Sequence, residues 1–569
     1  MMWFTVRELR EPSRSFHFLR IKVASFAAGK LSSDLRRTRG ASWCCMSPVM
    51  KLRQTTTRQP TAQRSTVPAP ETAGNATDHK LKRQLSSRHL QMIAIGGSIG
   101  TGLFVASGGT IAQAGPGGAL VAYAAVGLMV YLLMQSLGEM TAKIPVAGSF
   151  QTYATRFVSP SFGFAIGWNY WFNWAITVAA ELVAAGIVMS FWLPDVPGWV
   201  WAGGFLFVLT ALNALSAKAF GEGEFWLALI KVVTVIAFLV AGVLMIFGIL
   251  GDHADPLANW REGQDVFHGG WISIMAVFMI AGFSFQGTEL VGVAAGEAKD
   301  PRREIPKAIR SVFWRIMLFY IGAIFIIGCL IPFTDPSLLS SGEADVASSP
   351  FTMVFERAGI AFAAAAMNAV ILTAILSAGN SGLYASTRML YAMAHDGKAP
   401  KIFGRTNSRG VPMAALFATA GVGLFGFLTA LIGQGAAYAW LLNVSGLCGF
   451  IVWVGIAVSH YRFRRGYLAQ GYDVSDLPYR APFFPLGPLL AFVMLIAVIA
   501  GQNYEAVLAG RGLEVLSAYI GLPLFLGLWL IHRLVTKSRV VPLMKMDLSA
   551  PEDIEESAKV RSARTVAGN

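Results

Sequence analysis

Charged residues are scarce in this sequence: they make up 14% of its 569 residues, against about 25% in a typical soluble domain. Hydrophobic residues make up 54%, and the mean hydropathy is +0.54. A soluble protein of this length would divide into several domains, each with a polar surface that so few charges cannot cover. The composition therefore excludes an ordinary soluble protein and predicts an all-α polytopic membrane protein.

Cysteines and catalytic motifs are also few. The four cysteines, two adjacent near the N-terminus and two isolated in apolar stretches, fit neither a disulfide framework nor a metal site. The Gly-Lys-Ser/Thr of a phosphate-binding loop does not occur, and the sequence contains no obvious nucleophile–base pair or cluster of metal ligands. We therefore expect no enzymatic activity, no metal and no cofactor.

The net charge of +14 is concentrated at the N-terminal end, where residues 1–90 hold 17 Lys and Arg against 5 Asp and Glu. Because no nucleic-acid-binding module accompanies this charge, we predict no nucleic-acid binding. Residues 51–79 are rich in Thr, Gln, Pro and Ala and are expected to be disordered. Residues 1–50 are similar in composition to a transit peptide, or the true start lies downstream at Met46 or Met50.

From about residue 91 the chain is a series of apolar stretches, each near the roughly 20 residues that a membrane-crossing helix needs. We count about twelve, at 91–113, 117–142, 162–192, 197–216, 225–250, 270–295, 312–333, 350–379, 411–433, 436–459, 484–502 and 515–534. The predicted regions are a basic cytoplasmic tail at 1–84, a transmembrane domain at 85–540 and a cytoplasmic C-terminal tail at 541–569.

The loops between these stretches alternate in charge. One alternate set holds 18 Lys and Arg, with Arg315, Arg388 and Arg464 among them, and the other set holds three. Positive loops face the cytoplasm in most membrane proteins. The alternation therefore predicts an even number of spans, with both termini in the cytoplasm.

The first apolar stretch contains "AIGGSIGTGLF" at 94–104, where glycines and small hydroxyl residues interrupt the run. A phosphate-binding loop would need a strand before it and a different glycine spacing. A break in a membrane helix explains the pattern better, because unwound backbone lines cavities and its free N–H groups suit a carboxylate. We expect Ser98, Gly100, Thr101 and Gly102 to bind a ligand there. The alternative is that the glycines only allow close helix packing.

A second interruption, "GFSFQGTEL" at 282–290, lies in the sixth stretch. Transporters built from inverted repeats place two broken helices at corresponding positions of the two halves. The sixth stretch comes five stretches after the first, which is the offset expected if each repeat contains five helices. We therefore expect Ser284, Gln286, Gly287, Thr288 and Glu289 to form a second break that corresponds to the first.

Several longer motifs run through these stretches: "GGSIGTGLFVASG", "GWNYWFNWA", "FSFQGTELVGVAAGEAKDP" and "LSAGNSGLYASTRMLYAMAHDGKAP". With them, residues 80–535 resemble the amino acid permeases of the amino acid–polyamine–organocation superfamily, and most of all its bacterial lysine permeases. The resemblance implies a LeuT-like fold of two inverted five-helix repeats, with helices 1 and 6 broken and two further helices. It also implies amino acid uptake driven by the proton gradient.

Ionisable residues inside spans are functional candidates, because a charge there costs about 2.5–3.5 kcal/mol. Lys231 either extends to the membrane surface or, as the resemblance implies, replaces the sodium ion of sodium-coupled relatives and carries the coupling proton. Glu289 either meets the substrate ammonium or fixes the second break by accepting backbone N–H bonds. Glu181, deep in the third span, is expected to be hydrogen-bonded in the bundle or to relay protons.

The remaining site predictions concern the inner half and the aromatic residues. Glu139 is expected to pair with basic inner loops, as a gate or a structural contact. Glu297 lines an inner vestibule or is a solvated charge beside Lys299. Tyr170 and Trp174, one helical turn apart, flank the substrate or form an interfacial aromatic belt. The resemblance further implies that Phe283 is an aromatic gate and that Ser377 and Ser381 lie at the coupling and gating region.

The sequence thus predicts a transporter in the bacterial cytoplasmic membrane that imports L-lysine with a proton, surrounded by the lipid bilayer. The substrate carboxylate is expected at Ser98–Gly102 and its α-amino group at carbonyls around Phe283–Phe285. Two alternatives stay open: a permease for arginine, an aromatic amino acid or 4-aminobutyrate, or a sensor that signals through an unidentified regulatory protein docked on the basic tail.

Overall fold

The computed structural model describes residues 81–550, with gaps at 82, 98, 105, 252–254, 256, 262–264, 337, 339–348, 361 and 503. Regular structure in these residues is helical, apart from one isolated bridge between Leu85 and Ala298. The predicted disorder of residues 51–79, the alternative starts and most of both predicted tails lie outside the described residues.

The first half of the described chain forms nine α-helices. They are α1 (Ser87–Gly96), α2 (Thr101–Phe104), α3 (Ala106–Lys143), α4 (Ser149–Phe157), α5 (Pro160–Met189), α6 (Gly198–Leu215), α7 (Ala217–Ile246), α8 (Gly270–Phe283) and α9 (Leu290–Ala294). Gly115, with φ of 71°, kinks α3 near its start, where Pro116 follows.

The second half continues with α10 (Pro301–Arg315), α11 (Ala323–Leu330), α12 (Pro350–Arg357), α13 (Ala363–His395), α14 (Met413–Gly423), α15 (Thr429–Ile432), α16 (Gln434–Ala469), α17 (Leu486–Gly501), α18 (Tyr504–Leu508), α19 (Gly512–Tyr519) and α20 (Gly521–Thr536). A π-helical segment, Ile316–Gly322, joins α10 to α11, and a 3₁₀ segment, Leu424–Leu428, joins α14 to α15.

Eight helical runs of the described chain are long and apolar enough to cross a membrane, by length and composition. They are α3, α5, α6, α7, α10 with α11, α13, α14 with α15, and Trp440–Ala469 within α16. Three shorter apolar helices, α8, α17 and α20, accompany them. Helix α5 lies at the centre and packs against α13, α16, α4 and α6.

Several predicted span boundaries were wrong: α10 begins at Pro301 rather than 312, α16 runs on to Ala469 rather than 459, and two further differences have a local explanation. Helix α7 begins at Ala217 rather than 225, because the Ser216 hydroxyl accepts the Ala219 N–H at 3.0 Å and caps the helix there. The stretch predicted as one span at 350–379 is two helices, since the chain turns at Phe362, whose φ is 64°. Helix α13 then runs on to His395, through polar residues that neighbouring helices bury.

Three arginines that entered the loop-charge count are buried side chains rather than surface charges. Arg315, Arg388 and Arg464 lie within or at the end of helices and are 2%, 1% and 7% exposed. Arg388 and Arg464 lie beyond the predicted spans and Arg315 lies near the start of one, whereas helix packing encloses all three side chains. When these three are left out, one set still holds fifteen basic residues and the other holds three.

The folded unit extends past the predicted boundary at 540. The Val541 N–H donates to the Val158 carbonyl at 2.9 Å, and Arg462 donates to the Val541 carbonyl. The Gln470 amide donates to the carbonyls of Leu543 and Met546 at 3.0 and 2.9 Å. Residues 541–550 therefore pack against the end of α4 and the end of α16.

Candidate functional site

Two interrupted helices meet in the middle of the bundle. Helix α1 ends at Gly96 and the chain resumes helical structure at Thr101, while α8 ends at Phe283 and α9 begins at Leu290. Both interruptions fall on the glycine-containing stretches noted in the sequence. Ser98, predicted to bind the ligand, lies outside the described residues.

The two breaks touch at Gly102 and Ser284. A Cβ atom at Gly102 would lie 2.5 Å from the Ser284 Cα, closer than real Cβ contacts allow. Glycine is therefore required at this position by the close approach of two backbones. The contact makes the two breaks one structural unit.

Replacing Gly102 with alanine is expected to lower the free energy of unfolding by about 1–3 kcal/mol, because the new methyl group forces two backbones apart. The measurement is the midpoint of thermal unfolding in detergent. Gly223→Ala is the matched control, since a Cβ there meets nothing within 4 Å. Equal midpoints for the two variants would contradict the close contact.

A small cavity of about 20 Å³ lies between the breaks, α5 and α13. That is room for about one water molecule. Its lining includes six predicted site residues, Gly100, Thr101, Gly102, Trp174, Phe283 and Glu181, together with Gly97, Thr177, Gln286 and Ala378. The structure thus brings predicted residues from the first, third and sixth apolar stretches to one place.

Four other predicted residues are buried beside the cavity without lining it. The Tyr170 ring packs against Phe150, with centroids 4.6 Å apart. The Ser284 hydroxyl bonds the Tyr123 hydroxyl at 3.0 Å, and Phe285 stacks on Tyr320 at 4.1 Å. The Ser284 and Phe285 contacts hold the second break against its neighbours, whereas the Tyr170 contact joins α5 to α4.

Glu289 is the fourth of these residues, and it is 3% exposed. It accepts the Trp453 indole N–H at 3.2 Å and the Gly287 backbone N–H at 3.2 Å. Gly287 has φ of 97°, so the carboxylate secures a left-handed turn. Both contacts belong to the second of the two roles predicted for Glu289, which is to fix the unwound segment by accepting N–H bonds.

Lys231 points into the bundle. Its side chain is fully buried, and its Nζ donates to the Gly96 carbonyl at the end of α1 and to the Ser377 hydroxyl at 2.8 Å. It does not extend to the membrane surface, because α7 begins at Ala217 and Lys231 lies near its middle. The carbonyl end of a helix is a favourable place for a cation.

Glu224 is a buried carboxylate that the sequence reasoning missed. It is fully buried, its Oε1 accepts the Ser377 hydroxyl at 2.6 Å, and its Oε2 accepts the Asn380 amide at 3.4 Å. The predicted start of the fifth span at 225 excluded it by one residue. Its position seven residues before Lys231, on the same helix face, is the signal that would have found it.

Two further predicted residues, Glu181 and Ser381, lie near Lys231 and Ser377. Thr101 donates its hydroxyl hydrogen bond to Glu181 Oε1 at 3.4 Å, so Glu181 reaches the first break. Ser381 is buried on α13, one helical turn beyond Ser377. Among the described residues, three or more His, Cys, Asp or Glu side chains nowhere form a group that could hold a metal ion.

Glu297 belongs to a buried cluster at one end of the bundle. It is 1% exposed, accepts from Arg388 Nε at 2.8 Å and from the Tyr384 hydroxyl at 2.9 Å. Arg388 lies over the Tyr384 ring, 4.1 Å from its centroid, and Phe220 stacks on the other face. A solvated charge beside Lys299 was therefore the wrong alternative.

Glu139 lies in a second buried cluster. Two nitrogens of Arg464 donate to its carboxylate, one of them at 2.6 Å, and the Ala481 N–H donates at 2.7 Å. His460 Nε2 lies 3.2 Å from the same carboxylate. The predicted basic partner exists, but it comes from α16 rather than from a loop.

The arrangement offers a small polar cavity beside two helix ends, a buried ammonium next to one end, and buried ion pairs farther along the bundle. It has the features of a binding site for a small zwitterion rather than those of a site for covalent chemistry.

Comparison with known proteins agrees with this description. The amino acid permease family matches residues 89–543. The lysine-specific permease LysP of Escherichia coli K12 is 58% identical over 470 residues, covering 82% of this chain and 96% of the relative. LysP of Lactococcus lactis subsp. cremoris MG1363 is 51% identical over 84% of this chain and 95% of the relative. The histidine permease HisP of the same strain is 47% identical over 83% and 98%.

Proposed function

The chain belongs to the amino acid permease family, and on that premise we propose that it imports L-lysine in symport with protons. The observation that carries the substrate is its high identity, over nearly their full length, to two relatives named lysine-specific permeases. The apolar helices make the chain a multi-pass membrane protein. Its energy source in this proposal is the proton gradient, without a cofactor.

The proposed architecture is a LeuT-like arrangement of twelve membrane helices in two inverted repeats plus two helices. The two interruptions, five spans apart by the sequence count, support it. The proposed location is a bacterial cytoplasmic membrane with both termini in the cytoplasm, which the excess of basic residues in one loop set supports.

We place the α-carboxylate of lysine against the N–H groups around Ser98–Gly102, where the helix resumes. The α-amino group meets carbonyls around Phe283–Phe285. Trp174 and Glu181, both on the cavity wall, suit the aliphatic stem and the ammonium of the side chain. Since the cavity has room for about one water molecule, residues of its wall must move apart when lysine binds.

Proton coupling is assigned to Lys231. Its ammonium holds the carbonyl end of α1, and α1 ends in the break where we place the substrate carboxylate. Loss of the proton would weaken the hold on that end, because a neutral amine is a weaker donor than an ammonium, so occupancy of the proton site and the shape of the substrate site are linked. Lys231 would thus bias the transporter between its outward-facing and inward-facing states.

The test is uptake of labelled lysine by proteoliposomes that contain the purified protein, with and without an inward proton gradient. Unlabelled lysine, histidine, arginine and phenylalanine serve as competitors. Accumulation only with the gradient, displaced by lysine far better than by the others, is expected. Preferential displacement by histidine would favour the activity named for the third relative. Uptake that occurs only when the liposomes contain an amino acid would show exchange rather than symport.

A further inference from the structure

Three side chains form a continuous hydrogen-bonded chain away from the substrate cavity. Lys231 Nζ donates to the Ser377 oxygen at 2.8 Å, and the Ser377 hydroxyl donates to Glu224 Oε1 at 2.6 Å. All three side chains are fully buried. Glu224 and Lys231 lie two turns apart on α7, about 10 Å along its axis. The Ser377 hydroxyl from α13 therefore connects them.

We propose that Glu224 receives the coupling proton from Lys231 through Ser377 and delivers it toward the cytoplasm. This rests on the proposed function, because it assumes that Lys231 carries the coupling proton. In the transfer, an N–H bond of Lys231 breaks and its proton binds the Ser377 oxygen. The original Ser377 hydroxyl proton passes to Glu224 Oε1, which leaves a neutral amine and a neutral carboxylic acid.

The transfer is feasible inside the membrane because it leaves no isolated charge. Before it, an ammonium and a carboxylate neutralise each other; after it, both groups are neutral. A single buried charge would be much more costly than either state. Asn380 donates to Glu224 Oε2 at 3.4 Å and is held by the Asn213 amide at 2.8 Å, so the acceptor is fixed in place.

The surroundings give the route a direction. The charged groups that face Lys231 are Glu224 on its own helix and Glu181 on α5. Glu181 lines the substrate cavity, whereas Glu224 does not. Glu224 is two turns closer to the start of α7, where Lys218 is exposed and Glu222 pairs with Arg88 at the surface. In the proposed orientation this end faces the cytoplasm.

The test compares Glu224→Gln with wild type in proteoliposomes, by lysine-dependent proton influx, measured with an internal pH dye, and by lysine counterflow without a gradient. We expect at least a tenfold loss of proton influx, counterflow within twofold of wild type, and recovery of influx in Glu224→Asp. The matched control is Glu222→Gln on the same helix, which should keep both activities. If a folded Glu224→Gln protein lost counterflow as strongly as proton influx, the relay would be overturned in favour of a structural role.

Ser377 provides a second, independent pair of variants if Glu224→Gln does not fold. Ser377→Ala removes the bridging hydroxyl and should lose proton influx, whereas Ser377→Thr keeps the hydroxyl and should retain it. Equal influx in the two variants would overturn the relay. A wild type without lysine-dependent proton influx overturns the proposed symport and the relay together. A coupled wild type with an equally coupled Glu224→Gln overturns the relay alone.

Discussion

Replacing Lys231 with alanine is expected to reduce gradient-driven lysine accumulation to the level of protein-free liposomes. The substitution removes the proposed proton carrier and the donor that holds the Gly96 carbonyl at the end of α1. The buried Ser377–Glu224 pair also loses its cation. Accumulation against a gradient needs the bound proton to alter the substrate site, and without Lys231 that link is gone.

The control for this prediction is Lys218→Ala, because Lys218 lies on the same helix but is exposed. It should accumulate lysine like wild type. Labelled lysine uptake with an imposed inward proton gradient measures both variants, and gel filtration establishes that each is folded. Undiminished accumulation by Lys231→Ala would refute the assignment of the coupling proton to this residue.

Replacing Arg388 with methionine is expected to lower the free energy of unfolding by about 3–5 kcal/mol. Both partners of the Arg388–Glu297 pair are 1% exposed, so the substitution leaves the Glu297 carboxylate buried without its cation. It also removes the guanidinium from the face of Tyr384. The effect is measured as the midpoint of thermal unfolding in detergent.

Two further variants isolate the ion pair. Arg405→Met, at an exposed arginine, should leave the midpoint within error of wild type. The double variant Arg388→Met with Glu297→Gln should recover at least half of the loss, since it leaves no unpaired buried charge. An Arg388→Met protein as stable as wild type would contradict the description of this cluster.

The helical layout could be predicted from the sequence because long apolar runs and clustered glycines determine it locally. Several predicted spans agree with observed helices within a few residues, as at Gly198–Leu215 and Leu486–Gly501, whereas others miss a helix end by two turns or more. The break after Gly96 was visible because four glycines occur at 96–102. Cavity residues such as Trp174 and Phe283 came from the family resemblance as well as from their positions.

Contacts between residues that are far apart in the sequence could not be predicted in the same way. Glu224 was excluded by a boundary set on hydropathy, whereas the Ser216 cap begins the helix eight residues earlier. Arg388 and Arg464 were counted as loop charges because a basic residue beyond an apolar run normally faces water. Glutamates more than 90 residues away in sequence, Glu297 and Glu139, make their burial tolerable. Such pairings depend on tertiary packing, which local patterns do not encode.

The packing of residues 541–550 affects how the protein should be tagged. A fluorescent reporter joined directly after Val540 would replace the segment that contacts Val158, Arg462 and Gln470. The same reporter inserted after Ala550 leaves those contacts in place. The first fusion would therefore fold less completely than the protein with its own C-terminal segment, and a reporter intended for quantification should be joined beyond Ala550.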